Sequence, residues 1–176
     1  MKSAERRGGG QRRGRRSDSR REPKEFEQKT IEIARVTRVV AGGKRMRFRA
    51  TVALGDMKGR VGIGIAKGSD VSNAIQKAAT AARKKIVTVP IVNDTIPHQI
   101  LVKYRAARLL VKPAPKGSGV IAGGPIRLVM ELAGIKNVVS KILGSPNKIN
   151  NVYALMIALR SLRTREQAAH RRGGPR

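Results

Sequence analysis

The stretch Arg45-Met46-Arg47-Phe48-Arg49-Ala50-Thr51-Val52-Ala53-Leu54 alternates along much of its length, and period-two alternation is typical of a β-strand. One face of this strand would carry Met46, Phe48, Ala50, Val52 and Leu54. The other face would carry Arg45, Arg47, Arg49 and Thr51. We therefore expect a strand that packs one face into a core and leaves a basic face outside.

Two more strands and a helix complete this first region, which we expect over residues 26–92. Residues 30–39 alternate and would place Ile31, Ile33 and Val36 inward. Residues 60–66 form the third strand, in which Gly62 and Gly64 share a face that another backbone or a ligand could approach closely. A helix then begins after Ser69 or Asp70, and its buried stripe is predicted to be Val71, Ala74, Ile75, Ala78, Ala79 and Ala82.

The second region is predicted over residues 93–164 and reads as strands followed by helices. The strands cover residues 98–104 and 107–113, and a glycine-rich loop follows over residues 116–124. One helix runs from Pro125 to Ala133 and stops at Gly134. Asn137 is predicted to cap a short helix that ends at Leu143, and the last helix begins near Asn150. The expected fold class is α+β, with two small domains.

The ends of the chain are basic and low in complexity. Residues 1–25 are rich in arginine and glycine and have too few apolar side chains to offset the entropy of ordering, so we expect a disordered arm. Residues 165–176 are expected to form a basic tail.

Composition limits the function. Lys and Arg number 39 against 11 Asp and Glu, for a net charge of +28, which favours a nucleic-acid partner. Because Phe and Tyr number only two each and Trp is absent, we expect phosphate contacts rather than base stacking. The chain has no cysteine and no apolar run of about 20 residues, so we expect no disulfide, no membrane span and a cytoplasmic location.

An enzyme is the alternative, because glycine-rich segments can bind phosphates. In residues 62–69 the lysine precedes the glycine, which is the reverse of a Walker motif. The loop over residues 116–124 leads into a helix and is the better candidate for a nucleotide site. The carboxylates form no paired acid motif, and His98 and His170 have no acidic cluster beside them in the sequence. We therefore predict no catalytic residue, no metal and no cofactor.

The basic strand face is the sharpest functional signal. Arg45, Arg47 and Arg49 would project together, with Lys44 extending the row and Arg38 across the hairpin. The predicted RNA contacts are Thr37, Arg38, Gly42, Gly43, Lys44, Arg45, Arg47, Arg49, Lys67, Lys77, Arg83, Lys84, Lys116 and Lys148.

Several ordered motifs resemble the ribosomal protein S5 family of the small subunit over residues 26–164. They are Gly43-Lys44, Phe48-Arg49-Ala50, Leu54-Gly55-Asp56, Val61-Gly62, Gly117-Ser118-Gly119-Val120-Ile121-Ala122-Gly123-Gly124-Pro125 and Gly144-Ser145-Pro146-Asn147. The resemblance implies an N-terminal domain similar to double-stranded RNA-binding domains and a non-catalytic C-terminal α+β sandwich.

The resemblance also implies partners. Small-subunit ribosomal RNA would be the main one, with the hairpin loop over residues 37–43 near the spectinomycin site. Neighbouring proteins would be S4 and S8, and Gly119 and Arg127 match positions near the S4 contact that affects decoding accuracy. Basic residues of the family also face messenger RNA at its entrance tunnel. The family's role is structural, in assembly and accurate decoding.

Overall fold

The computed structural model describes residues 25–171 of the chain, which form two four-stranded sheets and four helices. The strands are β1 (Glu27–Val40), β2 (Gly43–Gly55), β3 (Arg60–Gly68), β4 (Ile86–Thr88), β5 (Ile100–Tyr104), β6 (Ala107–Pro113), β7 (Val120–Ile121) and β8 (Val138–Ile142). The helices are α1 (Val71–Arg83), α2 (Gly124–Ala133), α3 (Lys148–Ser161) and α4 (Arg165–Arg171). The sheet orders are β1-β2-β3-β4 and β5-β6-β8-β7, and the predicted α+β class is confirmed.

The first sheet is antiparallel, and its first two strands form a long hairpin. A bulge between Thr30 and Glu32 inserts one residue into β1 and shifts the alternation of its side chains. Ile31 consequently packs against the core, whereas Ile33 is 46% exposed. The prediction that Ile33 points inward is therefore wrong. The short strand β4 was not predicted, because three residues carry too little periodicity to register as a strand.

Helix α1 covers the apolar face of the first sheet. Ala74, Ala78 and Ala82 are its fully buried contact residues, all from the predicted stripe. A Cβ atom on Gly62 would lie 2.6 Å from the Ala82 carbonyl oxygen, and one on Gly64 would overlap the Ala78 carbonyl oxygen. The predicted close approach at these two glycines is confirmed, and the approaching group is the backbone of α1.

The second sheet is antiparallel except for the short parallel pair of β7 with β8. Helices α2 and α3 pack together against its buried side chains. Helix α2 ends as predicted at Gly134, whose φ of 82° is left-handed. Helix α3 begins earlier than predicted, because the Asn147 side chain accepts hydrogen bonds from the backbone N–H groups of Ile149 and Asn150.

Residues 138–142 form the strand β8, so the predicted short helix from Asn137 to Leu143 is wrong. Valine and isoleucine make up most of this segment, and β-branched side chains favour strands. Strand β8 lies between β6 and β7, and its backbone forms hydrogen bonds to both strands. The Asn137 Oδ1 atom caps no helix and instead accepts hydrogen bonds from the N–H groups of Gly117 at 3.1 Å and Gly119 at 3.2 Å.

One buried apolar cluster joins the two sheets. Ala53, Val61 and Ile63 of the first sheet belong to the same cluster as the buried residues of α2, α3 and the second sheet. Thr51, which was predicted to point outward beside the arginines, is only 1% exposed. That prediction is wrong because the half of this face that follows Arg49 lies in the contact between the two halves of the molecule.

The turn between β2 and β3 fixes that contact through backbone hydrogen bonds. The N–H group of Met57 donates to the Leu132 carbonyl oxygen at 3.0 Å, and that of Gly59 donates to the Ala133 carbonyl oxygen at 2.9 Å. The last carbonyl groups of a helix have no partner within the helix. The turn therefore caps the end of α2 from the other half of the chain.

The terminal predictions have different outcomes. Apart from Glu25, the basic arm predicted over residues 1–25 lies outside the described residues, as do residues 172–176 of the tail. Arg165–Arg171 form helix α4, which was not predicted. The domain boundary placed between residues 92 and 93 stays a prediction. Within residues 25–171, no helix combines the length and apolar character that crossing a membrane requires.

Candidate RNA interface

The long hairpin of β1 and β2 gathers the predicted arginines on one face of the first sheet. Arg45, Arg47 and Arg49 alternate along β2, and side chains two residues apart in a strand share a face. Arg38 pairs directly with Arg45 across the hairpin, and Lys67 of β3 pairs with Arg49 on the other side. We call these five residues, Arg38, Arg45, Arg47, Arg49 and Lys67, the arginine face.

The arginine face encloses a shallow cleft of about 270 Å³. Its lining residues are Val36, Thr37, Arg38, Arg45, Arg47 and Lys67. Val36 was predicted to point inward, but it pairs with Arg47 and lies between the basic side chains, so that prediction is wrong. The sequence does contain a pattern that predicts this position: Val36 and Arg38 are two residues apart in β1, so their side chains share one face.

The cations of the arginine face form no ion pair in the part of the chain that the structure describes. The ion pairs there involve other cations, namely Lys29, Arg60, Arg127, Lys136 and Lys148. Arg38, Arg45, Arg47 and Lys67 are also exposed, and Arg49 is half-buried. Like charges this close repel one another, so the arrangement favours binding of a polyanion such as an RNA backbone.

Lys44 does not extend this row. It pairs with Val39 near the tip of the hairpin and alternates with Arg45, so it projects from the opposite face. Ala41 and Gly42 form the exposed tip itself, and Gly43, with a φ of 133°, begins β2 beside it. Lys44 can therefore contact a partner at the tip but cannot align with the arginines along the strand.

The predicted helix contacts lie on the other side of the sheet. Lys77, Arg83 and Lys84 are exposed on or just after α1, which covers the face opposite to the arginine face. A single straight RNA helix resting on the arginine face would not reach them. The structure thus divides the predicted contacts of the first sheet into two basic surfaces.

Lys116 and Lys148 stand apart from both surfaces. Lys116 is exposed at the beginning of the glycine-rich loop. Lys148 begins α3, and its Nζ atom lies 3.5 Å from the Glu32 carboxylate, which links the second half of the molecule to β1. Because Glu32 already neutralises it in part, Lys148 is the weakest of the predicted phosphate contacts.

The glycine-rich loop is fixed by Asn137 and does not form an open phosphate cradle. The Asn137 Oδ1 atom accepts hydrogen bonds from the N–H groups of Gly117 and Gly119. A bound phosphate would need the same donors. Gly119, with a φ of 69°, lies in this fixed loop. Arg127 lies on α2, where its Nε donates to Glu131 Oε1 at 3.1 Å while more than half of its side chain stays exposed. Asn137 thus holds Gly119 in place, and Glu131 holds Arg127.

No group of three or more histidine or acidic side chains within residues 25–171 is arranged to hold a metal ion. Among the acids of residues 25–171, Asp56 in the turn between β2 and β3 has a clearly shifted pKa. Burial would raise the pKa of Asp56, but hydrogen bonds from the Arg60 side chain and from the N–H groups of Lys58 and Arg60 lower it below the ordinary value. These contacts stabilise the turn.

Fold and charge together define a structural, RNA-binding class of protein, and comparison with known families identifies it. Residues 26–90 match the model of the ribosomal protein S5 N-terminal domain, and residues 102–172 match that of the ribosomal protein S5 C-terminal domain. The chain belongs to the ribosomal protein S5 family. Members of this family are structural, non-enzymatic proteins, so the alternative of a nucleotide-binding enzyme is wrong.

The chain is similar to several proteins called small ribosomal subunit protein uS5c. It is 48% identical to that of Spinacia oleracea over 85% of this chain, although the match spans only 49% of the spinach protein. It is 48% identical to that of Emiliania huxleyi over 80% of this chain and 89% of the relative. It is 46% identical to that of Thalassiosira pseudonana over 90% of this chain and 88% of the relative. The ribosomal character predicted from the sequence motifs is confirmed.

Proposed function

We propose that this chain holds folded ribosomal RNA in place within the small ribosomal subunit and that the arginine face makes the main contact. The observation that carries this proposal is that its cations share one sheet face and have no carboxylate partner within residues 25–171. Arg side chains bind phosphate oxygens with two parallel hydrogen bonds. We propose further contacts at Thr37 in the cleft and at Gly42, Gly43 and Lys44 near the hairpin tip. The helix cations Lys77, Arg83 and Lys84 and, more weakly, Lys116 and Lys148 are proposed as well.

Replacing Arg45, Arg47 and Arg49 together with alanine tests the main contact. We expect weaker binding to small-subunit ribosomal RNA and a salt dependence whose log–log slope falls by about one for each phosphate that the variant no longer neutralises. The measurement is the equilibrium dissociation constant of the purified chain over a series of salt concentrations. The fold should survive, because Arg45 and Arg47 are exposed and Arg49 is half-buried.

A variant with Lys103, Lys112 and Lys141 replaced by alanine is the matched control. It removes the same charge from exposed positions on the second sheet, which were not predicted to contact RNA. Nonspecific attraction predicts equal losses in the two variants, whereas a specific contact predicts the larger loss for the arginine variant. Equal slopes would contradict the proposed role of the arginine face.

The finer roles rest on the likeness to the family. We propose that residues 26–92 hold RNA while residues 93–164 meet the neighbouring proteins S4 and S8, and that basic residues of the chain also meet messenger RNA at its entrance tunnel. The cytoplasmic location does not rest on that likeness and is proposed from the composition alone. Gly119 and Arg127 would lie at the S4 contact. Their positions support this, because Asn137 and Glu131 hold them without covering the Arg127 side chain.

Arg127→Ala tests the link to decoding accuracy. We expect misreading to rise severalfold, because losing an interfacial arginine weakens a contact that would restrain the subunit. The measurement is stop-codon read-through in cells whose only copy of the gene carries the change. Arg108→Ala is the control, since Arg108 is an exposed arginine on β6 of the same half of the chain. Unchanged read-through in Arg127→Ala would contradict this role.

A further inference from the structure

A groove of about 700 Å³ lies where the first sheet meets α3. Ile63, Val87, Tyr153, Met156 and Ile157 supply its apolar lining. Lys85, Arg160 and Arg163 stand at its margin, together with Ser161. The groove shares no lining residue with the cleft of the arginine face and contains neither Gly119 nor Arg127.

Helix α3 is apolar on two sides, and only one of them is covered. Val152, Leu155 and Leu159 are buried in the shared core. Met156 is half-buried and Ile157 is 44% exposed on the side of the groove. A helix that is apolar on more than one side is normally buried on more than one side. The groove therefore has the character of a surface that another molecule covers.

The charges around the groove indicate the chemistry of that molecule. Lys85, Arg160 and Arg163 are exposed, and within residues 25–171 none of them forms an ion pair. The occupant should therefore carry negative charge around an apolar centre. The chain's own terminal segments are rich in arginine and would be repelled by these three cations.

The lining distinguishes a protein segment from an RNA base. Its centre is aliphatic, since Ile63, Val87, Met156 and Ile157 have no hydrogen-bonding group, and its cations stand at the margin. The Tyr153 ring packs against the Tyr104 ring with 5.6 Å between centroids, and the Ser161 hydroxyl already donates to the Ala158 carbonyl oxygen. A nucleobase seated in this aliphatic centre would bury polar edge groups away from the cations at the margin, which is costly. Aliphatic side chains of a protein have no polar edge to desolvate and gain hydrophobic stabilisation in the same space.

We propose that this groove binds an acidic segment of a neighbouring small-subunit protein. Apolar side chains of the segment fill the space beside Met156 and Ile157, and its carboxylates meet Lys85, Arg160 and Arg163. An apolar centre with a charged rim is the usual anatomy of a protein–protein interface. This inference rests on the proposed function, since it requires the chain to be part of the small subunit.

Photo-crosslinking in assembled subunits tests the occupant. The tagged chain carries Ile157→p-benzoylphenylalanine, and small subunits are isolated after irradiation. We expect one major adduct, to a different protein, within a peptide rich in Asp and Glu. Leu143→p-benzoylphenylalanine is the control, since Leu143 is 56% exposed but does not line the groove, and it should not give this adduct.

Charge reversal provides the second arm. Lys85→Glu with Arg160→Glu should reduce the Ile157 adduct about tenfold, because like charges would then meet across the interface. Lys112→Glu with Lys141→Glu, the same change on the second sheet, should leave it intact.

The outcomes separate the two proposals. If the tagged chain does not sediment with small subunits, the proposed function is overturned and this inference with it. If the chain is present but its adduct is to RNA, to its own terminal segments or to nothing, only the inference is overturned. A protein adduct that survives the charge reversal would also overturn it, because the acidic character would then play no part.

Discussion

Asp56 shows how much of a turn one side chain can stabilise. Its Oδ1 atom accepts from the N–H groups of Lys58 at 2.8 Å and Arg60 at 2.9 Å, and its Oδ2 atom accepts from Arg60 Nε at 2.6 Å. The carboxylate is only 5% exposed. Hydrogen bonds to a charged acceptor are stronger than neutral ones. Because the same turn caps α2, Asp56 also supports the contact between the two halves of the molecule.

These contacts predict how stability depends on pH. The pKa of Asp56 is lowered in the folded chain, so its contribution is complete above the unfolded value near 3.8 and is lost as the pH falls through the folded value. We expect Asp56→Asn to lower the free energy of unfolding by about 1–3 kcal/mol at pH 7. The difference from the unmodified chain should shrink below about pH 4. Urea titrations from pH 7 to pH 2.5 measure both effects.

Asp70→Asn is the control for that prediction. Asp70 precedes α1, but its side chain makes no capping hydrogen bond, so its replacement should change stability little at any pH. A difference between Asp56→Asn and the unmodified chain that stayed constant down to pH 2.5 would show that ionisation of Asp56 is not the cause.

Asn137 marks the limit of prediction from single residues. Asparagine before a short apolar segment is a reasonable helix cap, which is why a helix was predicted there. Its actual partners, Gly117 and Gly119, precede it by 20 and 18 residues. No local pattern specifies such a contact. The backbone partners of Asp56, in contrast, lie within four residues, so a turn of that kind depends on local sequence alone.

At the scale of elements, the packing of α1 on β3 depends on residues that have no side chain. Gly62 and Gly64 let the helix backbone approach the strand directly, and alanines on the helix complete the fit. The alternation of glycines along β3 made the close approach predictable. The identity of the approaching backbone was not predictable, because it depends on how the chain folds back after β3.

Gly64→Ala tests this contact. The added Cβ would overlap the Ala78 carbonyl oxygen and lie 2.5 Å from the Ala82 backbone nitrogen, so α1 would have to move away from the sheet. We expect a loss of about 1–3 kcal/mol in the free energy of unfolding, typical of overpacking. Gly42→Ala is the control, since nothing lies within 4 Å of its added Cβ. Equal unfolding midpoints in urea for the two variants would contradict the backbone contact.

At the scale of the whole molecule, two sheets that each resemble a small domain share one apolar core. The sequence patterns indicated both sheets and most of the helices, since each rests on local periodicity. The shared core could not be predicted, because Ala53 and Ile63 meet residues of α2 and α3 that are far away in the sequence. The same contact between the two halves buries Thr51, so the exposed arginine face ends before that residue.

The shared core predicts that both halves of the chain unfold together. Ile63 is 2% exposed within the joint cluster, so Ile63→Ala should cost about 2–5 kcal/mol. Hydrogen exchange followed by mass spectrometry should show equal losses of protection in peptides from β2 and from α3, since a cooperative unit opens as a whole. Ile157→Ala, at an exposed position of the groove, should leave both unchanged. If α3 kept its protection while β2 lost it, the two halves would be independent units, and the groove between them would be a flexible joint instead of a fixed binding surface.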